Sequence, residues 1–126
     1  MPLKTRLATV RGLGSAKNGT HHWWGQRVTA VALVPLTLWF VYSVITLSGA
    51  GYGTVAGWLA QPWNTVLMLL LIVATFHHLQ LGLQVVIEDY IHTEFTKLAT
   101  ILFVKFASAV LAVACGYAVL KIALGA

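Results

Sequence analysis

Two adjacent histidines, His77 and His78, lie inside a long apolar run that ends in Glu88, Asp89 and Tyr90. Stepping from His78 by four to Gly82, by three to Val85 and by four to Asp89 follows one face of a helix. That face combines an imidazole, a position without a side chain and a carboxylate. Eleven residues separate His78 from Asp89, which at ~1.5 Å of rise per residue sets the imidazole roughly 16 Å below the helix end. In a hydrocarbon core ~30 Å thick this is near mid-membrane, where an ionisable group is costly and marks function by default.

An imidazole at that depth has two readings. Ligation to haem iron would offset the cost of burying it, with Gly82 letting a flat porphyrin lie against the backbone. Alternatively, the ring is neutral and hydrogen-bonded to another helix. His77 competes for the ligand role, but it points ~100° away, so the two rings cannot face one iron. No other histidine lies mid-span, and a second axial imidazole would come from another chain. Asp89 and Tyr90 suit a quinone, because a phenol hydrogen-bonds a carbonyl and a carboxylate relays protons. They are equally ordinary at a helix terminus. His21 and Arg27 sit on the same side, where a guanidinium matches a haem propionate or simply anchors the span. His22, His92 and Lys105 receive no role.

The elements that must position these groups follow from composition. Hydrophobic residues make up 59% of the 126 and charged residues 9%, against roughly 25% charged in an average soluble protein. The expected fold is an all-α membrane protein with three transmembrane helices. The spans run over about 28–47, 65–87 and 95–120, each near the ~20 residues that cross a bilayer. Residues 1–27 form a segment on the membrane surface, and residues 28–126 form the transmembrane domain. Pro35 should kink the first span or free a carbonyl, and Pro62 suits the first turn of the second. Trp23, Trp24, Trp58 and Trp63 mark the interfaces.

The net charge of +5 points to topology and lipid, with no nucleic-acid partner. Lys4, Arg6, Arg11, Lys17 and Arg27 all precede the first apolar run, which places the amino terminus on the cytoplasmic or matrix side and the carboxyl terminus opposite. Lys105 is expected to snorkel back to that rim. The single cysteine, Cys115, permits neither an intrachain disulfide nor an iron–sulfur cluster held by this chain alone. Three helices do not readily enclose a cofactor and satisfy every inward polar group, so neighbouring helices are expected.

The stretches NGTHHWWGQRVTA at Asn18–Ala30 and HHLQLGLQVVIEDY at His77–Tyr90 resemble the hydrophobic membrane anchor subunits of succinate dehydrogenase (complex II), of the smaller, D type. The resemblance covers essentially the whole chain. It implies a non-catalytic subunit in the bacterial or mitochondrial inner membrane that anchors a flavoprotein subunit and an iron–sulfur subunit. These partners carry FAD and the iron–sulfur clusters and send electrons from succinate to ubiquinone, in the respiratory chain and tricarboxylic acid cycle. It further implies a second, cytochrome b-type anchor subunit packed against this one, with haem b shared between them. By position, His78 matches the axial haem ligand, Tyr90 and Asp89 the quinone-binding pair, and His21 and Arg27 the residues near the haem propionates. Two other readings stay open, a haem-free structural anchor and a small proton-coupled transporter.

Overall fold

Within lipid a lone chain closes its backbone hydrogen bonds only by coiling into helices, and the apolar runs do so. The computed structural model describes residues 16–125; the basic residues Lys4, Arg6 and Arg11 lie outside the described residues, as does the side chain of Lys17. Four helices follow in order: α1 (Ala16–Thr46), α2 (Tyr52–Ala60), α3 (Pro62–Tyr90) and α4 (Glu94–Ala123). Thr20–Thr46, Pro62–Tyr90 and Glu94–Ala123 are each long and apolar enough to cross a membrane. They overrun the expected spans, most of all at the start of α1, where residues 16–27 are already helical. Polar and aromatic residues at an interface need not stop a helix, since water and head groups satisfy its terminal amides.

Helix α1 continues through Pro35, whose missing N–H leaves one carbonyl of the preceding turn without its intrahelical donor. Gly49 then reverses the chain at φ +82°, a conformation that costs glycine little and other residues more. The short helix α2 was not foreseen: its two glycines, Gly53 and Gly57, argue against a helix on propensity. Tertiary contacts override that weakness. Trp58 stacks on Trp39 of α1 at 5.7 Å between ring centroids, and the buried Asn64 donates its amide to the Trp58 carbonyl at 2.8 Å. Thr65 donates to the Leu59 carbonyl, so the next helix caps the last turn of α2. Pro62 occupies the first turn of α3 as expected.

Helix α3 is the middle element. It packs on α1 along one flank and on α4 along another, while the backbones of α1 and α4 do not approach within 8 Å. Few side chains are buried among the described residues: Leu36, Leu59, Ala74, Leu81 and Ile87, with the polar Thr29, Ser43, Asn64 and Ser108. The candidate residues sit on α3 and on the amino-terminal half of α1.

Candidate functional site

Helices α1 and α3 run antiparallel. Moving back along α1 from Thr29 to Gln26 moves along α3 from His78 to Gly82. The close approach depends on Gly25: a Cβ there would stand 2.9 Å from Leu81 Cδ1, and Leu81 is itself buried. His22, one turn earlier, ties the same place. Its Nε2 lies 3.0 Å from the Leu81 carbonyl oxygen, and because a carbonyl only accepts, Nε2 carries the proton. Gly25→Val should therefore push the helices apart, at a cost of about 1–3 kcal/mol from overpacking. The check is the melting temperature of the solubilised protein with its partners, which should fall. An unchanged value would mean that Gly25 does not set the spacing.

His78 faces α1, where its Nδ1 lies 3.0 Å from Thr29 Oγ1. Thr29 is buried, and its hydroxyl lies 2.6 Å from the Gly25 carbonyl oxygen and 3.1 Å from that of Gln26. Two oxygens at 2.6 Å require a proton between them, and only the hydroxyl can supply it. The oxygen that meets His78 is thus an acceptor, so Nδ1 bears the hydrogen and Nε2 keeps its lone pair. No described residue hydrogen-bonds that Nε2. An imidazole held by one nitrogen with the other free has the form of a metal ligand.

His77 also reaches α1, its Nε2 3.7 Å from where a Gly25 Cβ would stand, while its ring lines a cleft with Gln80 of α3 and Ser108 of α4. The two neighbouring imidazoles differ in that His78 alone of the pair meets a hydroxyl of α1. Gly82 lies under Gln26, whose amide nitrogen is 3.8 Å from where a Cβ would stand. The side-chain amide oxygen of Gln26, Oε1, is buried with no hydrogen-bond partner among the described residues. Arg27 is exposed, with its guanidinium 5.2 Å from the Trp23 ring centroid, a cation–π contact. His21 is exposed nearby.

At the far end of α3, Asp89 and Tyr90 both point outward, Tyr90 with 79% of its surface exposed. The structure does not bring them against another described side chain; Glu88 alone is engaged, accepting from Gln84 at 3.1 Å. His92 is exposed in the turn before α4, and Lys105 is exposed on α4. Among the described residues no three His, Cys, Asp or Glu side chains gather to hold a bare metal ion. A porphyrin brings four nitrogens of its own and asks a chain for a single imidazole.

Thr29 and His22 are the functional candidates that sequence reading passed over. The available signal was a hydroxyl residue early in an apolar span, which in lipid must find an acceptor.

Comparison with known proteins gives the chain a family. The model of the succinate dehydrogenase/fumarate reductase transmembrane subunit family matches residues 1–114. The chain is similar to the succinate dehydrogenase hydrophobic membrane anchor subunit of Rickettsia bellii, 34% identical over 105 residues, covering 83% of this chain and 84% of that one. It is similar to the protein of the same name from Paracoccus denitrificans, 35% identical over 122 residues, covering 97% and 94%. The succinate dehydrogenase membrane anchor subunit of Reclinomonas americana is 32% identical over 92 residues, covering 71% and 77%.

Proposed function

The chain belongs to the succinate dehydrogenase/fumarate reductase transmembrane subunit family, a multi-pass membrane anchor, and from that premise we propose how its own residues serve electron transfer to quinone. It holds a flavoprotein subunit and an iron–sulfur subunit at the membrane and packs against a second, cytochrome b-type anchor. Its amino terminus lies on the side of those soluble subunits, in the cytoplasm or the matrix, and its carboxyl terminus on the other, as the basic lead directs.

His78 would hold a haem b shared with the second anchor, which would contribute a further ligand. The observation that carries this reading is the hydrogen bond from His78 Nδ1–H to Thr29, which leaves Nε2 bearing its lone pair. The donor set fits: imidazole is a common haem ligand, and no described group competes for that nitrogen. When bound, the haem supplies a one-electron carrier within the bilayer. Arg27 and His21 lie on α1 nearer its amino-terminal end than Thr29, placed for the propionate carboxylates, to which a guanidinium donates as a fork. Gly82 lies on the same stripe as His78, beneath the Gln26 side chain.

Tyr90 and Asp89 form this chain's wall of the ubiquinone site. The Tyr90 hydroxyl donates to a quinone carbonyl, drawing off negative charge as electrons arrive. The Asp89 carboxylate, at the water-facing end of α3, passes protons inward. Reduction of a quinone to a quinol takes two electrons and two protons. The electrons come from succinate through the partner subunits, and the protons come from the aqueous side. This chain breaks no bond in succinate.

The test is purification through a tag on this chain from membranes of cells making all its partners. The expected product oxidises succinate with ubiquinone as acceptor and shows a b-type absorbance. Recovery without a succinate-oxidising partner would overturn the assembly. Quinone reduction without b-type absorbance would leave the anchor and remove the ligand role of His78.

A further inference from the structure

We propose that Thr29 is a positioning residue for the haem ligand: its buried hydroxyl selects the protonated nitrogen of His78, orients the ring and strengthens the nitrogen turned to iron. The inference rests on the ligand role of His78 and adds a residue to it.

The Thr29 hydroxyl has a single hydrogen and three oxygen or nitrogen neighbours: the Gly25 carbonyl at 2.6 Å, the Gln26 carbonyl at 3.1 Å and His78 Nδ1 at 3.0 Å. Carbonyl oxygens donate nothing, so the hydrogen belongs to the shortest contact, and His78 must supply its own. The opposite assignment, with Thr29 donating to a bare Nδ1, would press the hydroxyl and carbonyl oxygens together at 2.6 Å with no proton between them. The α1 backbone therefore dictates the tautomer of a side chain on α3.

Three further features make the contact stiff. Thr29 is only 9% exposed, so water does not replace the hydroxyl as acceptor. Its β-branched side chain has few rotamers on a helix, and donation to the preceding turn selects among them. Gly25 holds α1 against Leu81, one turn beyond His78, which keeps the two partners in range. A hydrogen bond at the distal nitrogen of a ligating imidazole raises its basicity, favours oxidised iron and slows ligand loss; removal of such a partner typically weakens metal binding by about 10–100-fold.

The variant that isolates the hydroxyl is Thr29→Val, which keeps the shape and loses the acceptor, compared with Thr29→Ser, which keeps the acceptor. Both are purified as the full complex with partners, and succinate oxidation with an artificial dye reports intact assembly. Thr29→Val should release haem about tenfold more readily on detergent dialysis, raise the haem midpoint potential and shift its low-spin electron paramagnetic resonance signal. Thr29→Ser should return all three towards wild type. Wild-type haem retention, potential and resonance in Thr29→Val would overturn the role of Thr29 while leaving His78 as ligand. Equal haem loss in Thr29→Val and Thr29→Ser would assign the position to shape alone and overturn it too. A wild-type complex without b-type absorbance would overturn the ligand role and this inference together.

Discussion

Replacing His78 by alanine should abolish the b-type spectrum of the purified complex while leaving succinate oxidation by an artificial dye near its wild-type rate. The two halves of the result have separate physical causes. Loss of the imidazole removes the nitrogen whose lone pair is kept free by the Thr29 contact. The folding cost is small by comparison, because Thr29 keeps its donation to the Gly25 carbonyl and one neutral hydrogen bond contributes only about 0.5–1.5 kcal/mol net. Haem content per complex should therefore fall by more than tenfold with assembly retained. Free imidazole added during haem reconstitution should restore part of the absorbance by entering the space the side chain leaves. An unaltered spectrum in His78→Ala would end the ligand assignment and return the ring to a helix-packing role.

Tyr90→Phe should slow quinone reduction by about 10²-fold, the scale seen when one donor to a developing oxyanion is removed. Dye reduction should not change. The prediction is clean because Tyr90 is 79% exposed within the chain and its hydroxyl bonds to no described residue, so its removal disturbs no internal contact. Substitutions at such positions usually change stability within ±0.5 kcal/mol. Asp89→Asn should act on proton delivery instead, with quinone reduction recovering as the medium is made more acidic. Parallel loss of dye and quinone activity in Tyr90→Phe would point to failed assembly and remove the residue from the quinone site.

Hydropathy made the three spans legible, because lipid imposes one answer on a run of that length with so few charges. It could not locate their ends, since water, head groups and aromatic rings allow a helix to run past the apolar layer, as α1 does back to Ala16. The helix α2 was illegible for a different reason: two glycines mask it, and what secures it is a Trp39–Trp58 stack and carbonyl capping by residues of the next helix. Spacing put His78, Gly82 and Asp89 on one stripe, and the stripe faces α1 at His78 and Gly82. Spacing alone leaves the register between His77 and His78 open; in the fold His78 meets a hydroxyl of α1, while His77 lies against Gly25 of α1 and lines a cleft with Ser108. Thr29 escaped notice because its meaning depends on a contact across 49 positions of chain. Local pattern carries no trace of that.

The position of α3 between two helices whose backbones stay more than 8 Å apart has a consequence for the life of the protein in the cell. Only 6–17% of the apolar window in each span is covered by the rest of the chain, so the molecule is a slab one helix thick, nearly all surface. Such a slab gains little by folding alone and much by being sandwiched. Its abundance should then track that of its companions: copies made in excess would be cleared by membrane proteases, and supply of the companion subunits would set the half-life of this one.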